Sequence, residues 1–237
     1  MDQLVYTFRR VEKKYCISRD RQAALLAEVA EHLVPDGYGN NTVCSLYLDT
    51  PTNLLIRSSI DAGAYKEKLR LRSYGVSDPE GRVFLEIKKK YKGIVYKRRV
   101  QIPLKQAMDY IRGGEKPCAG QIMEEIDYAM RFYGSLRPAM FIACERDAYF
   151  CRENSGVRIT FDTAIRYRKN TLEMDRHTDG EALLPPDKVL MEVKTDGAMP
   201  LWLSGALNRL EIYPTRFSKY ATAYGRTIKT EGAYENA

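Results

Sequence analysis

Charged and apolar residues alternate along Tyr65-Lys66-Glu67-Lys68-Leu69-Arg70-Leu71-Arg72, along Val83-Phe84-Leu85-Glu86-Ile87-Lys88, and along Val95-Tyr96-Lys97-Arg98-Arg99-Val100-Gln101-Ile102. A period of two belongs to strands, where successive side chains leave opposite faces of a sheet. Tyr74-Gly75 through Asp78-Pro79-Glu80-Gly81, and then Lys92-Gly93, supply turns that make the three strands a run of hairpins. One face collects Lys66, Lys68, Arg70 and Arg72 from the first strand, Glu86 and Lys88 from the second, and Lys97 and Arg99 from the third. Arg98 falls on the other side and is expected at the surface. The basic face is either the solvated side of an antiparallel sheet or the lining of a channel whose aliphatic side packs against helices. Like charges on neighbouring strands repel, so the channel reading calls for a highly charged anion, such as a phosphate chain, among them.

The rest of the chain reads as strands and helices around this centre. Val5 to Ile17 predicts a first strand with Arg10, Glu12 and Lys14 on one face. Ser18 is placed to cap a helix from Arg19 to about His32, its hydroxyl taking an orphan backbone N–H. That helix has an apolar stripe of Ala24, Leu25, Val29 and Leu33, and Pro35-Asp36-Gly37 ends it. Thr42 to Asp49 is a strand with less clearly separated faces, and Thr50-Pro51-Thr52-Asn53 opens a short helix to Ile60. Helices over Pro103 to Ile111 and Gln121 to Phe132 are split by Gly113-Gly114-Glu115-Lys116-Pro117 and are the natural cover for the aliphatic side of the sheet. Strands follow at Ala139 to Cys151, at Val157 to Tyr167 with Arg158, Thr160, Asp162 and Arg166 on one side, and at Val189 to Lys194. Lys169 to Glu181 is a polar excursion, and helices over Leu201 to Glu211 and Ser218 to about Tyr224 close the chain. About eight antiparallel strands can close into a small barrel. The expected fold is therefore α+β: an eight-stranded antiparallel β-barrel tunnel with a charged interior and helices packed outside, a single domain over residues 1–237 with no dividing linker.

Composition narrows the partner. The formal charge is +7 and the pI about 9.1, while the hydrophobic fraction of 44% is ordinary for a globular core. A basic balance of this size points to nucleic acid, polyphosphate or anionic lipid without choosing among them. Cys16, Cys44, Cys118, Cys144 and Cys151 form an odd, scattered set with no CxxC spacing, which suits thiols in a reducing cytosol better than a disulfide framework or zinc site. No basic-then-apolar leader opens the chain and no apolar run nears the ~20 residues of a membrane span, so a cytoplasmic protein is expected. His32 and His177 fall in a helix tail and a polar loop, away from any catalytic pattern, and Trp202 sits beside Pro200 and Leu203 as a packing residue.

Eight short motifs in order carry a resemblance. Glu12-Lys13-Lys14-Tyr15, Ser45-Leu46-Tyr47-Leu48-Asp49-Thr50-Pro51, Lys68-Leu69-Arg70-Leu71-Arg72 and Phe84-Leu85-Glu86-Ile87-Lys88 are the first four. Glu145-Arg146, Arg158-Ile159-Thr160-Phe161-Asp162, Met191-Glu192-Val193-Lys194 and Phe217-Ser218-Lys219-Tyr220 complete the series. Together, over roughly residues 5–225, they resemble the VTC domain, the catalytic module of vacuolar transporter chaperone polyphosphate polymerases. That domain belongs to the triphosphate tunnel metalloenzymes, which include the CYTH proteins. The resemblance implies an eight-stranded tunnel binding triphosphate or polyphosphate through inward basic residues, with a divalent metal, Mn²⁺ or Mg²⁺, on an inward glutamate. It implies that Arg70, Arg72, Lys88, Lys97, Arg146 and Arg158 hold the reacting phosphates. Lys14 and Lys219 match further basic positions, Lys68, Arg99 and Lys194 join them as phosphate-binding residues, and Glu192 matches the metal glutamate. Glu86 and Glu12 are further metal candidates, or they pair with neighbouring lysines. The ExExK signature of CYTH relatives is missing from the first strand, which carries Glu12-Lys13-Lys14 and so favours the polymerase-like subgroup.

Physical chemistry agrees with such a role. Phosphoryl transfer needs charge neutralised and the nucleophile held in line, more than covalent help. Arg offers a planar fork to phosphate oxygens and Lys a point charge. Two enzyme readings follow: an ATP-dependent polyphosphate polymerase, and a triphosphatase or polyphosphatase with water as the nucleophile in the same tunnel. A nucleic-acid-binding sheet would carry exposed aromatics on the basic face, and the central strands place Leu and Ile beside the basic positions instead, so no nucleic-acid partner is expected. The inositol-phosphate sensor and membrane spans of the eukaryotic polymerases are not encoded here. A free-standing, prokaryotic catalytic domain is therefore expected, with export needing a separate membrane partner. Replacing Arg70, Lys88 or Arg158 by alanine is expected to remove activity and spare the fold.

Overall fold

A computed structural model describes residues 11–37, 39–61, 63–92, 94–154 and 156–234. Strand β1 (Val11–Ser18) leads into helix α1 (Arg19–Glu28), where the Arg21 N–H donates to Ser18 Oγ at 3.2 Å as the cap requires. Val5 to Arg10, the start of the expected first strand, lies outside the described residues. The helix is shorter than its pattern: a 3₁₀ turn at Ala30–His32 and strand β2 (Leu33–Pro35) take its last residues. Pro35 accounts for the extended end of this segment, since the residue before a proline, Val34, is pushed out of the helical region; α1 itself has already ended at Glu28. Ala24 of the expected stripe is exposed, whereas Leu25, Val29 and Leu33 are buried.

Strand β3 (Asn41–Asp49), helix α2 (Leu54–Ile60), strands β4 (Tyr65–Tyr74), β5 (Arg82–Tyr91) and β6 (Ile94–Pro103), and helices α3 (Leu104–Ile111) and α4 (Gln121–Tyr133) follow close to the expected bounds. Strands β7 (Arg137–Cys151), β8 (Arg158–Arg168), β9 (Glu181–Ala182) and β10 (Lys188–Thr195) and helices α5 (Leu201–Arg209) and α6 (Lys219–Tyr234) complete the chain. The fold is α+β. Its strands hydrogen-bond in the order β1-β10-β8-β7-β3-β4-β5-β6, with β2 added on β7 and β9 on β8. Eight strands on the main path match the expected number, but among the described residues the path has two ends instead of closing into a ring. At the β1 end, the edge carbonyl of Lys14 accepts from the Thr215 N–H at 2.7 Å.

The chain forms two compact units. The first contains Met1–Asn41, Glu145–Thr163 and Leu184–Phe217; the second contains Thr42–Cys144, Ala164–Leu183 and Ser218–Ala237. In the first, the apolar side of β1, β8 and β10 (Tyr15, Ile17, Ile159, Phe161, Val189, Met191, Val193) packs on Leu25 and Val29 from the α1 region and Leu203, Ala206 and Leu207 of α5. In the second, Leu46, Leu48, Leu69, Leu71, Leu85 and Ile87 from β3–β5 pack under Ala107, Tyr110 and Ile111 of α3 and Met123, Ile126 and Ala129 of α4. Each fully buried Leu or Ile contributes about 1.5–3 kcal/mol. Helices therefore cover the aliphatic side of the strands, as the alternation predicts, and the charged residues are left on the other side.

Candidate functional site

Register turns the basic face of the second unit into rows across the strands. Lys68 of β4 stands opposite Lys88 of β5, which stands opposite Lys97 of β6. The next row runs Tyr47 (β3), Arg70, Glu86, Arg99, and the one beyond it Ser45, Arg72, Phe84, Gln101. Beside Lys68 the row Lys66–Lys90 adds two more charges. Glu86 is the one acid on this face of β4–β6, and it is only 1% exposed. Its Oε2 accepts from Arg70 Nε at 2.8 Å and lies 2.7 Å from Arg70 Nη2. Its other oxygen lies 2.6 Å from Lys97 Nζ, an ion pair off the hydrogen-bond direction. Burial alone would raise the acid's pKa, but the charges of Arg70, Arg72 and Lys97 hold it down at about 2. Burial lowers Lys97 to about 8; Glu86 opposes that shift, and Arg70 and Arg72 add to it.

Several other basic residues of this unit have polar or aromatic partners. Arg72 Nε and Nη2 donate to Ser45 Oγ at 3.4 Å, and Lys68 Nζ donates to Ser218 Oγ at 3.2 Å, just before Lys219 opens α6. Arg99 lies over the Phe84 ring, 4.4 Å from its centroid, an arrangement that favours a cation on an aromatic face. Arg70 Nη1 donates to the Tyr47 hydroxyl at 3.2 Å. Tyr47 in turn stacks on Tyr220, centroids 4.5 Å apart, and Tyr220 donates to Asp49 Oδ2 at 2.8 Å. Arg98, expected at the surface, is half-buried on the helix-covered side, with Nε 3.7 Å from Glu125 of α4. The alternation that moves it off the basic face also points it at that helix.

The first unit carries a different pattern. The rows Glu12–Lys194–Arg158 and Lys14–Glu192–Thr160 cross β1, β10 and β8. Lys14 Nζ lies 3.4 Å from Glu12 and 3.7 Å from Glu192 and donates to the Phe217 carbonyl at 3.2 Å. Lys194 Nζ lies 2.6 Å from the other Glu192 oxygen. Arg146 forks onto the buried Asp162 through two hydrogen bonds of 2.6 and 2.7 Å, and Arg158 Nη2 donates to Asp36 at 2.9 Å while lying over Phe150. Arg166, expected on the same side of β8 but belonging to the second unit, donates to the carbonyl and hydroxyl of Thr178 and so holds the polar excursion.

The implied divalent cation can be tested against these residues. Among the described residues no three His, Cys, Asp or Glu side chains cluster. The carboxylates of Glu12 and Glu192 nonetheless converge on one cation, the Lys14 ammonium. Thr160 Oγ1, in register with Glu192, is buried and makes no hydrogen bond. Two carboxylates and a hydroxyl are the hard oxygen donors that Mg²⁺ or Mn²⁺ takes, with phosphate and water completing the set. These residues fit. Both oxygens of Glu86 are engaged by Arg70 and Lys97, which is the pairing alternative.

The VTC domain model matches residues 9–228, nearly the whole chain. The chain belongs to the VTC domain family. Among curated proteins, none matches closely enough to count as a relative. Two solved structures resemble this VTC domain across most of both chains. A candidate adenylate cyclase from Bacillus halodurans is 12% identical, with a TM-score of 0.54 over 89% of this chain and 95% of that one. A second, from Vibrio parahaemolyticus, is 14% identical, with a TM-score of 0.50 over 92% and 99%. At these identities the likeness is one of fold. Sequence reasoning about the VTC domain missed Tyr47, Ser45, Asp49 and Tyr220. Their signal was present: Ser45, Tyr47 and Asp49 alternate with Cys44, Leu46 and Leu48 in the same two-residue period as the basic strands. No helix among the described residues is long and apolar enough to cross a membrane.

Proposed function

We propose that the chain is a metal-dependent polyphosphate polymerase, transferring the terminal phosphoryl group of ATP onto a polyphosphate chain held by its basic strand residues. The observation that carries this reading is the row of Lys68, Lys88 and Lys97 beside Arg70 and Arg72, with Glu86 as the one acid on that face of β4–β6. Three lysines at opposing positions of neighbouring strands bring like charges together, and a chain of phosphates, with a negative charge on each unit, is the ligand that relieves them. Membership of the VTC family supports the same substrate class.

In this reading Arg70, Arg72, Lys88 and Lys97 hold the reacting phosphates, with Lys68, Arg99 and Lys219 extending the same surface. In the first unit Arg146 and Arg158 are the further phosphate ligands, and Lys14 and Lys194 position the carboxylates of Glu192 and Glu12. Glu86 is the counter-ion that keeps Arg70 and Lys97 in place. Mn²⁺ or Mg²⁺ on Glu192 and Glu12 would neutralise charge on the phosphate oxygens. The terminal oxygen of the acceptor chain forms a bond to the γ-phosphorus, the bond from that phosphorus to the β,γ-bridging oxygen breaks, and ADP leaves. The attacking oxygen is already anionic, so no general base is needed.

The test is a product assay on the purified chain with ATP and Mn²⁺, separating long phosphate chains, free phosphate and ADP. Long chains with matching ADP are expected. Free phosphate without chains, especially from inorganic triphosphate, would replace the polymerase with a hydrolase. The same assay with Mg²⁺ ranks the metals.

A further inference from the structure

Resting on the reading above, we propose that Tyr47 ties phosphate binding on the second unit's basic face to the uptake of a proton at its phenol oxygen. Tyr47 is the one ordinarily uncharged member of its row, Tyr47–Arg70–Glu86–Arg99. It is a buried phenol placed at the end of that row, where Arg70 Nη1 donates to its oxygen at 3.2 Å while Glu86 grips the same guanidinium from the opposite side. Every charged group near the hydroxyl on β4 is a cation: Lys68, Arg70 and Arg72. Glu86 of β5 lies beyond the Arg70 guanidinium and is shared between Arg70 and Lys97 of β6. From α6 the Tyr220 ring stacks against Tyr47, but its own proton is committed to Asp49. Asp49 in turn is saturated, since it also accepts from the N–H groups of Thr50, Leu55 and Ile56. Among the described residues, then, Arg70 meets the Tyr47 oxygen on the β3 side and Glu86 on the other.

The electrostatic consequence separates this tyrosine from the others. Tyr15, Tyr65, Tyr110, Tyr133, Tyr149, Tyr167 and Tyr220 are all pushed up, chiefly by burial. Burial acts upward on Tyr47 as well, but Arg70, Lys68 and Arg72 overcome it and bring the phenol down to about 7. With the face empty, the phenolate is one more counter-charge for Arg70. A phosphate chain on Arg70 and Arg72 supplies that negative charge instead, and a phenolate beside it is then repelled. It takes a proton from solvent and becomes the neutral phenol, whose oxygen still accepts from Arg70. Affinity for the chain should accordingly fall as pH rises through the neutral range, because binding must then recruit a proton that solution holds more scarcely.

The experiment is calorimetric titration of the full chain with inorganic tripolyphosphate, without metal, in buffers of different ionisation enthalpy. It compares wild type with Tyr47→Phe, which keeps the ring stack and removes the titrating oxygen. Tripolyphosphate exchanges protons of its own, so the difference between the two proteins is the quantity read. At pH 7 wild type is expected to take up about half a proton more than Tyr47→Phe, with the difference vanishing near pH 5. Above pH 7 its affinity should fall by up to about tenfold per pH unit relative to the variant. Tyrosinate absorbance gives a second readout on wild type alone: one of the 17 tyrosines should ionise near neutral pH and be reprotonated by tripolyphosphate. Equal proton uptake in the two proteins, or no tyrosinate below pH 9, overturns the role of Tyr47 and leaves the phosphate site standing. Failure of wild type to bind tripolyphosphate at any pH overturns both.

Discussion

The two charged strand faces use the same residue types to opposite effect. In the first unit, Lys14, Lys194, Arg146 and Arg158 each meet an acid: Glu12 and Glu192, Glu192, Asp162, and Asp36 respectively. Cation and anion alternate along and across β1 and β10, Glu12 opposite Lys194 and Lys14 opposite Glu192, while Arg158 of β8, opposite Lys194, finds its acid in Asp36. In the second, Lys66, Lys68, Arg70, Arg72, Lys88, Lys90, Lys97 and Arg99 share β4–β6 with Glu86 as the acid of that face. The balanced face is held by its own ion pairs. The unbalanced face carries a surplus of positive charge whose repulsion is relieved by an external anion. A basic strand pattern alone therefore does not identify a ligand site; the count of acids in register with it does.

The comparison breaks most sharply at Glu86. Glu86→Gln leaves Arg70 and Lys97 without their buried acid and is expected to cost about 3–5 kcal/mol in urea unfolding, with tripolyphosphate restoring part of the loss. The pH dependence carries the same signature. The folded pKa of Glu86, about 2, lies below its ordinary 4.5, so its contribution is present above pH 4.5 and is lost as pH falls from there toward 2. The variant should lose that part of the acid limb. A second break is catalytic. Arg72→Ala removes a fork that donates to Ser45, and turnover should fall about 100-fold, with a smaller loss of stability than Glu86→Gln. Arg70→Ala does not share this outcome, because Arg70 neutralises a buried carboxylate; the expectation that it spares the fold yields to the Glu86 contact.

In the first unit, Glu192→Gln should lower metal-dependent turnover about 10- to 100-fold and leave tripolyphosphate binding without metal within about twofold; unchanged turnover would remove Glu192 from the metal site. The smallest effect sharpens the contrast. Lys88→Ala relieves repulsion with Lys68 and Lys97, so thermal stability at low salt should hold or rise by up to about 0.5 kcal/mol, and added salt should shrink the gain. A loss of stability there would mean that the row is not under charge strain.

Much of this was legible in the sequence, for a physical reason that differs by region. The runs from Tyr65 to Ile102 alternate so regularly that strand, face and helix cover follow from period alone, and Leu69, Leu71, Leu85 and Ile87 are buried under helices as that period requires. The partners of those charges were not legible. That Arg146 would fork onto Asp162, or Arg158 reach Asp36, depends on which strands become neighbours, and 122 positions separate the second pair. Asp49 stands within a motif that carries the family resemblance, and its role there was not legible. The structure gives it the backbone N–H groups at the start of α2, where Asn53 makes no side-chain cap. The short β2 was hidden for a different reason: Leu33 continues the helical stripe, and only pairing with β7 makes it a strand.

The order of the strands also has a consequence for biosynthesis. The first unit is gathered from three stretches of chain, and β1 pairs with β10, Val11 standing opposite Thr195. On the ribosome, β1 emerges with one edge of backbone donors and acceptors unanswered and must wait for nearly the whole polypeptide before β10 arrives. The β3–β6 meander meets no such delay, since each strand pairs with the next to be translated. Vectorial synthesis thus favours a nascent chain whose basic meander is assembled while its amino-terminal strand is still unpaired, and holding that strand out of mispairing becomes a task for chaperones and for the speed of translation.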